Sequence, residues 1–161
     1  MLGTNNKYKK LNLSAKKRLG LILLSLIVLS STSCSKTPII RNPYISDVPI
    51  NYQVNLNLPQ YDQLRFVGGS AYIYQAGLKG VLLYNLNGRT FLAWEATCPN
   101  HTPRSCSLLE LNTSLAQCSC ENFQYSLANG QLLNADENAN TSYPLINYQV
   151  EVYDSFLTIR N

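Results

Sequence analysis

Histidine is almost missing from this chain: a single one, His101, stands among 161 residues, with one Met and one Trp. Chemistry that draws two imidazoles from one chain is thereby excluded, and no Ser-His-acid set stands out beyond chance. Charge is sparse as well. Only 14% of the residues are Asp, Glu, Lys or Arg, too few for disorder driven by charge repulsion. Acidic side chains are absent from the first 18 positions, which hold six of the 13 basic ones: Lys7, Lys9, Lys10, Lys16, Lys17 and Arg18. From Cys34 onward there are seven basic and nine acidic residues, a net charge of −2. The overall charge of +4 belongs to the N-terminus, so a nucleic-acid partner is excluded. No glycine-rich phosphate loop occurs, and Val67 to Ser70 (Val-Gly-Gly-Ser) reads as a turn. About 130 residues remain beyond the N-terminus, enough for one domain and too few for a two-domain enzyme.

The basic N-terminus leads into an apolar run from Leu19 to Leu29, then Ser30-Ser-Thr-Ser and Cys34. About a dozen apolar residues fall short of the ~20 that span a bilayer. A positive segment, a short apolar core and small residues form a secretory address. The pattern resembles a bacterial lipoprotein signal, with residues 1–33 removed and Cys34 lipidated. Ser31 stands where a Leu is usual, while Thr32 and Ser33 meet the peptidase's demand for small side chains. The resemblance implies a place in the bacterial cell envelope, facing the periplasm or the exterior, with the membrane as partner through Cys34. Pro38, Pro43 and Pro49 make residues 34–49 an extended tether, and the folded domain is expected over 50–161.

The domain reads as strand throughout. Tyr52, Val54, Leu56 and Leu58 alternate with Gln53, Asn55 and Asn57, the period of a half-buried strand. Gly80 to Leu86 and Thr90 to Glu95 flank Asn87-Gly88, which predicts a hairpin with a type I′ turn. Tyr148 to Tyr153 and Phe156 to Ile159 flank Asp154-Ser155 as a second hairpin. A third runs from Gln124 to Leu133 around Ala128-Asn129-Gly130. No stretch after residue 34 has a helical period, and Asn134 to Ser142 is a polar loop. The expectation is an all-β domain, a small sandwich or barrel rich in Tyr. Trp94 and Tyr125 are expected in the core, and Glu95 and Glu110 in solvent.

Four cysteines lie in the domain: Cys98, Cys106, Cys118 and Cys120. An even number in an exported domain suggests two disulfides. Cys118 and Cys120 are two apart in a strand, a poor geometry for a bridge. Cys98–Cys118 with Cys106–Cys120 remains, as does the crossed pairing. Each bridge would be worth about 3 kcal/mol through the loop it closes.

The order of motifs goes further. Cys98-Pro-Asn-His101 follows one hairpin, and Cys118-Ser-Cys-Glu-Asn122 precedes the aromatic segment Phe123-Gln-Tyr125. Gly130, then Tyr143-Pro144-Leu145, then a closing hairpin of alternating apolar residues complete the series. This succession resembles the Rieske iron–sulfur family, in which one loop carries Cys-x-His and the other Cys-Pro-Cys-His-Gly. The resemblance covers roughly residues 52–160. It implies a Rieske-like all-β fold of small antiparallel sheets with two cysteine-bearing loops.

Four cluster-equivalent positions follow from it. Cys98 and Cys118 match the thiolate ligands, but Asn100 and Glu121 stand where the family has histidines. Asn122 replaces the loop glycine, and five residues separate Asn100 from Cys106 where the family has two. Cys106 and Cys120 match a bridge found in some members, leaving Cys98 to pair with Cys118. No catalytic residue and no cofactor are expected, and a [2Fe–2S] cluster with atypical ligands is the alternative. His101 would be a solvated side chain or, failing that, an atypical ligand. A metal site of Cys98, His101 and Cys118, with or without Cys120, is the further option. The expected role is non-enzymatic, a binding or structural domain of the envelope whose partner is an unnamed envelope protein or ligand. Electron transfer is the alternative.

Overall fold

The structure, a computed structural model, describes residues 41–135 and 142–161. The signal reading over residues 1–33, Cys34, the start of the tether and most of the polar loop after Asn134 lie outside the described residues. The compact unit described spans Arg41–Asn161. Asn42 donates from Nδ2 to the Pro99 carbonyl at 2.8 Å, and its Oδ1 accepts the Tyr44 and Ile45 amides. Ile45 is buried. Prolines keep this segment extended, but side-chain burial and the Asn42 bonds fix it on the domain.

The described residues form nine strands: β1 (Asn51–Asn55), β2 (Ser70–Ile73), β3 (Val81–Asn85), β4 (Phe91–Glu95), β5 (Leu109–Asn112), β6 (Leu115–Cys118), β7 (Gln124–Ser126), β8 (Asn147–Tyr153) and β9 (Phe156–Arg160). They form a six-stranded sheet in the order β1-β9-β8-β4-β3-β2 and a three-stranded sheet β5-β6-β7, with every pairing antiparallel. The domain is all-β, as its sequence pattern predicts. A 3₁₀ segment, Pro59–Arg65, was not foreseen; it has Pro at its start and buries Tyr61 and Leu64.

Strand β3 explains how two cores coexist. All five of its residues are buried, the pattern of a strand covered on both faces. Val81 and Leu83 enter one core with Ile73, Phe91, Ala93, Leu157 and Ile159. Leu82 and Tyr84 point the other way, into a second core with Trp94, Leu109, Tyr125, Leu127 and both free cysteines. The two free cysteines of the candidate site are therefore part of the second core. Trp94 and Tyr125 are core residues, as expected, and the Trp94 indole donates to the Leu127 carbonyl at 2.9 Å. Gly130 is obligatory beside it: φ is +73°, and a Cβ there would lie 2.7 Å from the ring.

The β3–β4 hairpin forms, but not through a two-residue turn. Asn85 pairs with Phe91, so five residues connect the strands, and only Gly88 of the Asn-Gly pair has positive φ. Asn87 instead accepts the Arg89 and Thr90 amides with its side chain, an Asx turn. The β8–β9 hairpin turns at Asp154-Ser155 as predicted, with Tyr153 opposite Phe156.

Two buried tyrosines, Tyr125 and Tyr148, and the half-buried Tyr72 resist ionisation. Burial raises Tyr72 to about 12, with Glu95 adding to the rise. Burial also raises Tyr125 and, together with its bond to Glu95, Tyr148. Their folded values exceed the ordinary value of 10, so the unfolded chain ionises first as pH rises. Stability is fully present below pH ~10 and falls above it as the unfolded state releases these protons. A denaturant midpoint that declines steeply above pH ~10 is the expected result, followed by circular dichroism with tyrosinate absorbance.

Candidate functional site

Two loops meet over the second core. The first runs from Cys98 to Ser107 between β4 and β5. It is closed by the Cys98 amide donating to the Ser107 carbonyl at 2.8 Å and the Arg104 amide donating to Ser107 Oγ at 2.6 Å. The second links β6 to β7 and is closed by the Cys118 amide donating to the Phe123 carbonyl at 2.8 Å. Asn122 takes the left-handed conformation there, with φ +57°, so an Asn meets the backbone demand that a glycine otherwise would. The Cys106–Cys120 disulfide joins the loops, with Cα atoms 5.2 Å apart.

The second expected disulfide is not formed. Cys98 and Cys118 are free, buried thiols. His101 Nε2 lies 3.2 Å from Cys118 Sγ, and Cys98 Sγ is 3.5 Å from the Tyr125 hydroxyl. Each sulfur has a polar partner other than its fellow. The crossed pairing is excluded by the Cys106–Cys120 bond.

The expectation of a solvated histidine is overturned too. His101 is 8% exposed, and Cys98 and Cys118 are fully buried. The three donor atoms lie within 4.8 Å of one another. His101 Nδ1 is 3.0 Å from the Thr102 carbonyl oxygen, which can only accept. Nδ1 therefore carries the proton in the neutral ring, and Nε2 presents its lone pair to Cys118. Ser107 Oγ, 3.5 Å from Nδ1, backs the ring. Burial pushes the Cys98 thiol up to about 12; the adjacent Cys118 adds to the rise, while bonds with the Tyr125 hydroxyl and the Asn100 backbone oppose it. Alone, Cys98 is a protonated, unreactive thiol at neutral pH.

The other two cluster-equivalent residues point elsewhere. Asn100 is consumed in structural bonds: Nδ2 donates to Tyr125 Oη and to the Tyr143 carbonyl, both at 2.8 Å, and Oδ1 accepts the Tyr143 amide at 2.7 Å. Glu121 is exposed and pairs with Arg104 at 2.8 Å. A Rieske centre takes two thiolates on one iron and two imidazoles on the other. The described residues supply two thiols and one imidazole, with no free fourth donor. They do not fit that ligand set.

Tyr125, Ser107 and Thr102 complete the surroundings, and none was singled out as a partner of the cysteines or the histidine. Their roles depend on contacts between the two loops and on a backbone carbonyl, which no residue pattern announces. Glu95 corrects another expectation. It is 1% exposed, not solvated, and binds five donors. Glu110 is at the surface, as expected, and accepts from Ser119 Oγ at 2.6 Å.

No protein-family model and no curated protein matches the chain. Solved structures similar to it include ferredoxins. The Sphingomonas yanoikuyae B1 ferredoxin is similar over 60% of this chain and 88% of its own, with a TM-score of 0.41 and 17% identity. The ferredoxin of carbazole 1,9a-dioxygenase from Nocardioides aromaticivorans IC177 is similar over 71% of this chain and 98% of its own, with a TM-score of 0.43 and 14% identity. A chain from the complex of reduced oxygenase and oxidized ferredoxin in carbazole 1,9a-dioxygenase is similar over 58% of this chain and 82% of its own, at 20% identity and a TM-score of 0.41.

Proposed function

We propose that this protein is an exported domain on a Rieske-type scaffold, tethered to a bacterial membrane through lipid on Cys34. In this reading it serves as a binding or structural component of the envelope and lacks the family's two-iron cluster. One observation carries the reading: Asn100 and Glu121, at the histidine positions, are committed to Tyr125 and Tyr143 and to Arg104. The Cys106–Cys120 disulfide suits an oxidising compartment, as does the signal-like N-terminus. The slightly acidic composition after Cys34 favours a protein or small-molecule partner over nucleic acid.

No enzymatic role is assigned. Cys118 and His101 have the spacing of a thiol–imidazole nucleophile, but the fully buried sulfur gives a substrate no approach. Electron transfer through a [2Fe–2S] cluster with atypical ligands is the second reading, favoured by the grouping of two thiols with an imidazole. It needs a second ligand on the histidine-bound iron. Absorption and EPR spectra of protein matured in an iron-replete host and purified without oxygen decide between the two. The first reading predicts no stoichiometric iron–sulfur signal; a reduced-state EPR spectrum integrating to one spin per chain would establish the second.

A further inference from the structure

We propose that Cys98, His101 and Cys118 bind a single zinc ion. The fourth coordination position is then left to a water molecule. This deepens the reading above, because it rests on the absence of a two-iron cluster at these residues, and it is independent of Cys34.

Donor spacing is the first argument. Zinc bonds of about 2.3 Å to sulfur and about 2.05 Å to nitrogen place donors on one tetrahedral ion about 3.5–3.8 Å apart. The Nε2–Sγ separation of 3.2 Å needs to open by only a few tenths of an ångström, and all three donors already lie within 4.8 Å. Ligands to two different irons are farther apart than ligands to one ion.

The imidazole is prepared for the role. A ring nitrogen held by a backbone carbonyl, with the opposite nitrogen's lone pair facing the other donors, is the usual second-sphere arrangement of a metal-bound histidine. Thr102 provides that carbonyl here.

Charge favours a divalent ion over a monovalent one. Zinc displaces one proton from each thiol, two protons leave for solvent, and no electron moves. The product, Zn²⁺ with two thiolates and a neutral imidazole, has no net charge in a site where the ligands are 0–8% exposed. Cuprous ion with the same ligands would leave one negative charge buried, at a cost of several kcal/mol. Two thiolates and an imidazole match zinc's preference, and three protein ligands with a free fourth position are known for zinc. Cys120 is not available to close the site, since it is held in the disulfide.

The test is a titration of the full chain, disulfide intact and stripped of metal by a chelator, with Co²⁺ and then Zn²⁺. One cobalt per chain should give thiolate-to-cobalt charge-transfer absorption and the visible bands of tetrahedral cobalt. One equivalent of zinc should abolish both. H101Q should weaken uptake at least tenfold while the charge-transfer band persists at high cobalt, and C98S and C118S should each remove most of that band. The buried serine variants can fail to fold, so H101Q, checked by circular dichroism, keeps the proposal falsifiable. C34S should change nothing. Folded wild-type protein that takes up no cobalt, uptake unchanged in H101Q, or uptake lost in C34S would each overturn the zinc site. If no cobalt binds and no iron–sulfur signal exists, zinc fails while the cluster-free reading stands. A [2Fe–2S] spectrum defeats both.

Discussion

Replacing Glu95 by Ala should lower the melting temperature by more than about 15 °C. The carboxylate accepts the Leu78 amide at 2.8 Å, the Lys79 amide at 3.2 Å, the Thr97 amide at 3.0 Å, the Thr97 hydroxyl at 2.6 Å and the Tyr148 hydroxyl at 2.7 Å. It thereby ties the β2–β3 connection, the approach to Cys98 and strand β8 to one buried point. Truncation strands three amides, each costing roughly 1–3 kcal/mol when left unpaired. A loss of at least about 4 kcal/mol is expected, a large share of the roughly 5–15 kcal/mol that holds such a domain together. At about 4 °C per kcal/mol this gives the stated shift. Glu95→Gln keeps one acceptor oxygen and should fall between Ala and wild type. Differential scanning calorimetry of the three proteins reads the order, and an Ala variant within 3 °C of wild type would show that solvent replaces the carboxylate.

Removing the disulfide should be the second largest loss. Cys106 and Cys120 are 14 apart in sequence, a loop whose closure is worth about 3 kcal/mol by chain entropy. Among the described residues one ion pair spans the same loops, Arg104–Glu121, and both partners are substantially exposed. Exposed pairs contribute about 0–1 kcal/mol, so the covalent link, not the ion pair, is the clamp. C106A/C120A should melt about 10 °C below wild type, whereas E121Q should be within about 2 °C. The clamp also holds His101 against Cys118 across the two loops. The double Ala variant should therefore expose both thiols, which a timed reaction with a thiol reagent under native conditions measures. Native-state labelling as slow as in wild type would mean that the core alone holds the loops together.

The strand pattern was legible because it depends on neighbours. Alternation in Tyr52 to Leu58 marks β1, though that strand stops at Asn55, and the continuous apolar run Val81–Tyr84 marks a strand with two covered faces. The β5–β6 hairpin could have been read from the alternating Leu109 to Asn112 and Leu115 to Cys118. Its turn is carried by Thr113 at φ +56°, a residue with no turn signature of its own. Motif order singled out Cys98 and Cys118, which the structure brings together with His101.

Burial of His101 and Glu95 was not legible, and for one reason. Each side chain is covered by segments distant in sequence. Cys118 arrives beside His101 from the other loop, and Leu78 and Tyr148 reach Glu95 from 17 and 53 positions away. A polar residue in a loop or strand end reads as exposed until such partners are placed. The single histidine, counted at first as a shortage, is the residue on which the site turns.

Native mass spectrometry of the protein purified without chelator tests the central claim most directly. The account predicts one zinc per chain, with the mass showing the two thiol protons lost and the Cys106–Cys120 bond intact. A mass increment of two irons and two sulfides would contradict it.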